Sequence, residues 1–500
     1  MKVFFEPIDQ SYIKVIFSED IAQDIFSSYF TFEVPEAKFR KKRNPRWDGL
    51  IRLYNKNTCK LPKGLMLKAY QVCIDLDLIV VNNVDPTDTP FDEHTIDSYL
   101  DGIDVTSKGQ DIEAYDYQIE ALKHVLINKR AHIEVATGGG KSLFCYLATY
   151  LLTKKLEGNI LIVVPTLDLI HQLWSDFKDY SEFDHNFNAE DIKLIFSGQD
   201  KFKDAKITIS TYQSLVNLPK DYFEQFDCVI TDEAHKAEAK SFVYILESCI
   251  NAYYKFGMSG SYKGGKVSEI SLEGHMGPYK FIVDSKTLRD KEVLSQVEVD
   301  CIMLEYNSDV SKQYRKLVKD KLWSYQKEID FLVGCSERNN LITNLAEGLE
   351  GNTIILFKYI EKHGDILLSL IRERLRGTDR NVFYITGDTK KEVRKNVREK
   401  IEQEKDCIIL ANYQLFSTGI NIKNLHNAIL AHPLKSETTI VQSIGRILRK
   451  ADNGQSAKMY DIIDRLNDKQ DKNYTYQHGE IRAETYIKQK IPYKVQKIAI

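Results

Sequence analysis

Ala131-His-Ile-Glu-Val-Ala-Thr-Gly-Gly-Gly-Lys-Ser142 runs from a β-branched apolar stretch into three glycines and a Lys-Ser pair, and Leu143 to Leu152 is then almost wholly apolar. The pattern predicts a strand over 131–135, a tight turn, and a helix over 142–152. Glycines placed so can turn backbone N–H groups onto phosphates at a helix N-terminus, the part given to Thr137, Gly138, Gly139 and Gly140. Lys141 would reach the β and γ phosphates of ATP, and the Ser142 hydroxyl would hold Mg²⁺. Val135 stands where the strict G-x-x-x-x-G-K-[ST] pattern begins with glycine, so for the loop alone a glycine-rich turn without function is the lesser alternative.

Working outward, runs of strand length alternate with helical stretches, the mark of a mainly parallel sheet wrapped by helices. Strands are expected at 159–164, 192–196, 207–210, 228–231 and 254–258, with a helix over 167–180. After a lysine-rich, helical 311–349 the pattern recurs at 353–357, 382–386, 407–411, 428–431 and 459–463. The expected fold class is α/β, with two such parallel-sheet domains. Before them, short-period alternation at 12–17, 49–54 and 74–81 predicts a small strand-containing domain. A polar stretch with Pro86, Pro90 and Gly102 then reads as a linker. The expected domains are 1–105, 106–290 and 305–500.

The chain has 500 residues, 43% hydrophobic and 28% charged, with 25 Gly and 11 Pro. That composition excludes disordered, collagenous and low-complexity classes. Eight scattered cysteines, none in a C-x-x-C pair, suggest buried thiols rather than a zinc module or disulfide framework. His171, His275, His363 and His432 have no partner at metal spacing. No stretch approaches 18 uncharged apolar residues, and Lys2, Glu6 and Asp9 interrupt the start, so a cytoplasmic protein without membrane contact is expected. The net charge of −3 hides an asymmetry: Lys38 to Lys68 holds eleven Lys or Arg against Asp48, and Ala69 to Glu113 holds eleven acids against Lys108.

Downstream, Cys228-Val-Ile-Thr-Asp-Glu-Ala-His235 sets two carboxylates just past an apolar strand, the edge at which open α/β sheets bind ligands. Asp232 can hold Mg²⁺ through its water shell, and Glu233 can polarise an attacking water as general base. A Gly-Lys-Ser loop and an Asp-Glu pair on successive α/β units favour ATP hydrolysis over two unrelated surface features.

Asp232-Glu-Ala-His235 resembles motif II of the DEAH-type helicases of superfamily two, and other motifs follow in order. Tyr117-Gln118 resembles the adenine-reading Gln motif, Val164-Pro-Thr-Leu-Asp-Leu169 motif Ia, and Ser210-Thr-Tyr-Gln-Ser214 motif Ib. Met258-Ser-Gly-Ser261 stands in the place of motif III, Ser417-Thr-Gly-Ile-Asn421 resembles motif V, and Gln442-Ser-Ile-Gly-Arg-Ile-Leu-Arg449 motif VI. Gly260 replaces a common Ala, and Asn421 a common Asp. The resemblance implies two RecA-like domains that close on ATP and Mg²⁺, with Gln442, Arg446 and Arg449 completing the site from the second domain. It further implies nucleotide contacts from Gly419 and Asn421, strand contacts from Pro165, Thr166, Ser210, Thr211 and Thr418, and coupling through His235, Ser259 and Ser261. Gln442, Arg446 and Arg449 also fall on one helix face by spacing.

Outside these motifs, Phe39-Arg-Lys-Lys-Arg-Asn-Pro-Arg-Trp-Asp-Gly-Leu-Ile-Arg-Leu-Tyr54 and Leu61-Pro-Lys-Gly-Leu65 resemble the amino-terminal domain of the UvsW recombination helicases of T-even-type phages. That likeness spans nearly the whole chain. It implies branched-DNA substrates such as forks, Holliday junctions and displacement loops, with RNA–DNA hybrids also in range, in recombination, repair and fork rescue. It also implies a monomer meeting other recombination proteins in a host cytoplasm. From the residues themselves, Lys41, Lys42, Arg43 and Arg46 are point charges for phosphates, and Trp47 could stack on a base or pack into the core. The basic block could instead pair with the acidic 69–113 segment. An RNA helicase and a nucleic-acid scaffold without turnover are the rivals. The lysine-rich tail from Thr485 reads best as a last strand with a solvated edge.

Overall fold

The computed structural model describes residues 1–34, 47–84, 89–196, 204–233, 240–260, 266–294, 296–319, 323–387, 389, 391–413, 422, 424–435, 457–466 and 473–500. They form two compact units, Met1–Val135 with Gly140–Val283, and Asp284–Ile500 with Ala136–Gly139.

The first unit begins with β1 (Lys2–Pro7), β2 (Tyr12–Phe17), β3 (Thr31–Glu33), β4 (Leu50–Arg52), β5 (Lys60–Pro62) and β6 (Ile79–Asn82). Four of these make a mixed sheet in the order β5-β2-β1-β6, while β3 and β4 pair separately. Alternation puts Val3, Phe5, Ile13 and Val15 into one core with Phe26 and Phe30 at the first helix, and with Ala69 and Cys73 of the helix Met66–Asp75. The expected strand over 74–81 is corrected: Ile74 and Asp75 end that helix, Asp77 turns the chain at φ 52°, and pairing with β1 begins only at Ile79. Alternation in so short a stretch fits a helix end as well as a strand, and the burial of Ala69 and Cys73 one turn apart decides for the helix. The stretch read as linker carries the helix Glu93–Leu100, capped by Asp92, whose Oδ1 accepts from Thr95 N at 2.7 Å.

This small α+β domain is built onto the sheet that follows. Gln10 N donates to Ile250 O at 2.8 Å, the Ser11 hydroxyl to Glu247 O at 3.0 Å, and Tyr12 OH bonds the Glu247 carboxylate. Buried Lys255 donates to Ser11 Oγ at 2.7 Å and Leu246 O at 2.8 Å. Arg130 reaches Gln10 O, and Lys68 pairs with Glu273. Gly64 abuts the backbone of Glu273 and Gly274.

After the short hairpin β7 (Thr106–Ser107) and β8 (Gln110–Asp111) come β9 (Arg130–Val135), β10 (Asn159–Val164), β11 (Lys193–Ile195), β12 (Ile207–Thr211), β13 (Phe226–Asp232), β14 (Tyr254–Ser259) and β15 (Tyr279–Val283). They form an all-parallel sheet in the order β11-β12-β10-β13-β14-β9-β15. Ile160 to Val164 are buried, as expected of a central parallel strand.

The second unit holds β16 (Val297–Glu305), β17 (Thr353–Phe357), β18 (Asn381–Ile385), β19 (Cys407–Asn412), β20 (Asn427–Leu430), β21 (Ala457–Arg465) and β22 (Tyr493–Ala499). Its sheet is also all parallel, in the order β18-β19-β17-β20-β21-β16-β22. The fold class is thus two RecA-like parallel-sheet domains behind a small α+β domain. The lysine-rich stretch is three helices, Ser308–Val318, Tyr325–Val333 and Ser336–Gly348, and the tail is the edge strand β22 with exposed lysines. Lys494 lies 3.3 Å from Asp300, and Lys497 lies 3.7 Å from Glu305. Among the described residues no helix is long and apolar enough to cross a membrane, and all eight cysteines are free thiols, seven of them buried.

Candidate nucleotide and nucleic-acid site

Ala136 to Gly140 leave the C-terminal end of β9 and enter the helix Lys141–Thr153, whose N-cap is Gly140. Gly138 at φ 85° and Gly140 at φ 75° occupy the left-handed region, which glycine enters without penalty. Gly139 N donates to Ala136 O at 2.9 Å, closing the turn. Lys141 lies in the first helical turn with its Nζ 3.3 Å from Val135 O, and the Ser142 hydroxyl lies 3.0 Å from Tyr180 OH. Thr137, Gly138, Lys141 and Ser142 are half-exposed, as groups that meet a ligand must be.

Gln118 is buried beside this turn. Its Oε1 accepts from Tyr115 N at 2.8 Å, and its Nε2 donates to Gly140 O at 3.2 Å, so the amide ties the start of the helix Asp116–Asn128 to the residue before Lys141. The predicted nucleotide-reading residue therefore also supports the loop.

β13 delivers Asp232 and Glu233 to the same sheet edge. Register runs from Asp232 to Met258 on β14 and from Met258 to Ile133 on β9, so Asp232 lies level with Ile133, two residues before β9 ends at Val135, with a single strand between them. Two strand spacings put β9 and β13 roughly 10 Å apart across the sheet. Asp232 Oδ1 accepts from Glu233 N at 2.9 Å. Glu233 sits at φ 52°, a left-handed conformation that costs a non-glycine residue about 1–2 kcal/mol. Burial, with the Asp232 carboxylate adding to it, pushes the Cys145 thiol well up. A hydroxyl and a carboxylate facing one edge are the hard oxygen donors that Mg²⁺ takes. Buried Ser259, one of the coupling candidates, is the register partner of Glu134 on the intervening strand β14.

The neighbouring strands carry the strand-contact candidates. Val164 of β10 is in register with Thr211 of β12, and Gln213 Nε2 donates to Pro165 O at 3.4 Å, strapping motif Ib to motif Ia. Thr166 caps the helix Leu167–Tyr180 through Leu169 N at 3.4 Å, and Thr211 caps the next short helix through Ser214 N at 3.3 Å. Ser210 is turned inward, its hydroxyl donating to Ile195 O at 3.1 Å within the sheet. Trp47 is half-buried, with its indole N–H on Leu50 O at 3.1 Å, so its ring is braced by the β4 turn.

The basic block does not lean on the acidic segment where it is described: Arg52 pairs with Asp48, Lys56 with Asp24 and Lys68 with Glu273. Lys41, Lys42, Arg43, Arg46, His235, Ser261, Thr418, Gly419, Asn421, Gln442, Arg446 and Arg449 lie outside the described residues.

Sequence reasoning missed a buried charge network in the second unit. Asp461 and Asp464 of β21 are fully buried, the first against Arg482 and the second against Arg338. Buried Glu328 accepts from Asn473 Nδ2 at 2.9 Å and Thr475 N at 2.7 Å. The signal available was the Asp461 and Asp464 pair flanking Ile462 and Ile463 in a strand whose burial makes carboxylates require partners.

Residues 111–263 match the family model described as type III restriction enzyme, res subunit, and residues 337–451 match the helicase conserved C-terminal domain. The chain is 32% identical over 520 residues, covering 100% of itself and 99% of the relative, to the ATP-dependent DNA helicase uvsW of Enterobacteria phage T4. It is 25% identical, over 70% of itself and 82% of the relative, to the DNA 3'-5' translocase XPB2 of Sulfurisphaera tokodaii. The crystal structure of T4 UvsW matches with a TM-score of 0.51 at 30% identity, covering 100% of both chains. With the glycine-rich loop, the carboxylate pair and two RecA-like sheets in place, the chain belongs to the UvsW family of ATP-dependent helicases.

Proposed function

We propose that this helicase acts on DNA, unwinding or branch-migrating forks, Holliday junctions and displacement loops, with R-loops in the same class, during recombination, repair and fork rescue. What carries the reading is one sheet edge that presents Lys141, Ser142, Asp232 and Glu233 beside the strapped loops of Pro165 and Thr211. Loop N–H groups and Lys141 hold the phosphates, Ser142 and Asp232 hold Mg²⁺, and Glu233 accepts the proton of the attacking water. Bound Mg²⁺ supplies charge neutralisation at the phosphate oxygens. Gln118 reads the base while it braces the loop, and Gly419 and Asn421 add nucleotide contacts. Gln442, Arg446 and Arg449 of the carboxy-terminal domain stabilise the charge that develops on transfer.

Pro165, Thr166, Thr211 and Thr418 contact a strand through its phosphates, which makes movement indifferent to sequence. The inward hydroxyl of Ser210 leaves only its main chain for that role. His235, Ser259 and Ser261 couple the two sites. Residues 1–105, with Lys41, Lys42, Arg43, Arg46 and Trp47, form the DNA-binding domain, and 106–290 and 305–500 are the motor domains. DNA rather than RNA is favoured by the full-length likeness to a relative named as a DNA helicase and by the basic block.

The test is ATP-driven dissociation of a synthetic four-way DNA junction and of a fork, beside an RNA duplex at matched salt. Junction processing that is absent with Glu233→Gln is expected. Processing of the RNA duplex alone would overturn the DNA assignment.

A further inference from the structure

The connection between β20 and β21 runs from residue 431 to residue 456 and contains Gln442, Arg446 and Arg449. Since these strands are parallel neighbours, with Leu430 in register with Asp461, the chain must leave one end of the sheet and return to the other. Only its first residues, Ala431 to Lys435, are among those described. Two side chains from elsewhere hold them. Tyr325 OH donates to Pro433 O at 3.3 Å, and Arg482 Nη1 donates to Leu434 O at 2.8 Å.

Arg482 belongs to the helix Tyr474–Lys488, which lies beyond the 337–451 stretch matched by the helicase C-terminal model. Its guanidinium is 1% exposed. Nε meets both oxygens of Asp461, at 3.0 and 2.9 Å, and Nη2 donates to Ile462 O at 3.1 Å. Tyr486 OH secures Asp461 Oδ2 from the far side at 2.8 Å. One planar fork thus joins the take-off of the crossover to the strand on which the crossover ends, a geometry no lysine can reproduce.

Arg338, the other buried arginine of this network, offers a contrast. It bonds Asp464 at 2.8 and 3.2 Å, and among the described residues it makes no bond to Ala431–Lys435. A buried pair that served stability alone could be an apolar pair of the same volume. The donor spent on Leu434 O, in the connection that carries Gln442, Arg446 and Arg449, is what sets Arg482 apart from Arg338.

We infer that Arg482 is a positioning residue for ATP hydrolysis, fixing the take-off of the crossover that carries Gln442, Arg446 and Arg449. The inference rests on the role proposed above for those residues. Loosening the take-off displaces groups that must sit within about an ångström of their target, so the chemical step suffers while ATP binding through Lys141 and its loop does not.

The experiment compares Arg482→Lys, the apolar pair Arg482→Met with Asp461→Leu, and Arg338→Lys as control, all in the full-length protein. Melting temperature reports folding, and the apolar pair carries the test if Arg482→Lys does not fold. Each is assayed for DNA-stimulated ATP hydrolysis, alone and combined with Arg446→Ala. For the Arg482 variants the expected result is a kcat down about tenfold or more with little change in the KM for ATP. No further loss is expected when Arg446→Ala is already present, since both changes act through one element. Arg338→Lys should lower the melting temperature without that pattern. A kcat within twofold of wild type in a folded Arg482 variant, or losses that multiply in the Arg446→Ala background, would overturn the inference. Wild-type hydrolysis by Arg446→Ala alone would instead refute the reading on which it rests.

Discussion

Replacing Gly64 with alanine should loosen the joint between the small amino-terminal domain and the first RecA-like sheet. A Cβ at position 64 would lie 2.7 Å from Gly274 O and 2.9 Å from Gly274 C, and closer still to Glu273 O, where ordinary contact begins at 3.4 Å. All three atoms are backbone, so no side chain can rotate away, and the facing surfaces must part by about 0.7 Å or more. The movement would stretch neighbouring bonds, among them Lys63 N to Ser11 O at 2.9 Å and Lys255 Nζ to Ser11 Oγ at 2.7 Å. Overpacking of this kind costs about 1–3 kcal/mol, which for a unit of this size lowers the melting temperature by roughly 2–5 °C. Differential scanning fluorimetry measures it directly. If the amino-terminal domain binds DNA as proposed, hydrolysis stimulated by single-stranded DNA should stay near wild type, while fork unwinding should fall. A Gly64→Ala protein melting within about 1 °C of wild type would show that the joint is not packed as described.

Glu233→Gln keeps the shape of the side chain and removes its basicity, so hydrolysis should drop by about 10²-fold or more while nucleotide binding persists; a wild-type rate would remove Glu233 from the role of base. Burial, reinforced by Lys255 and Arg130, lowers His275 to about 4. Its folded-state value lies below its unfolded one, so between about pH 6.5 and 4 the unfolded chain binds the extra proton and stability falls as pH falls, by roughly 3 kcal/mol from this group. His275→Gln should flatten the melting temperature over that window, and an unchanged slope would contradict the burial. Lys255 is likewise lowered, to about 7, by burial first and by Arg130 next. The unfolded chain holds the Lys255 proton up to about pH 10.5, so this residue alone makes the fold more stable as pH rises above 7, a trend that Lys255→Met should abolish in the same melts.

The central strands were legible because Ile160 to Val164 and Thr353 to Phe357 carry no charge and admit one reading, a buried parallel strand. β16 was missed because Glu298 and Asp300 break its apolar run, although Asp300 meets Lys494 of the last strand. β15 alternates exposed Tyr279 and Phe281 with Lys280, and its apolar run is no longer than Phe281 to Val283. The phosphate loop and the carboxylate pair were legible because their chemistry needs fixed residue types at fixed spacing. Gln118 as a brace for Gly140, the Gln213 strap and the inward Ser210 depend on how neighbouring loops pack, which spacing along the chain does not encode. The buried pairs of Arg338 with Asp464 and Arg482 with Asp461 went unread for a simpler reason: a charged residue read singly belongs on the surface, and although two aspartates within one strand call for partners, those partners lie 126 and 21 residues away.

The central claim, a nucleic-acid-driven ATPase seated on the β9 and β13 edge and working on DNA, is met most directly by steady-state ATP hydrolysis. The rate is measured without nucleic acid, then with single-stranded DNA, duplex RNA and a four-way DNA junction at matched salt, for wild type and Lys141→Ala. Strong stimulation by DNA, greatest with the junction and lost in Lys141→Ala, is the predicted result. Stimulation by RNA alone, or hydrolysis that survives in Lys141→Ala, would contradict it.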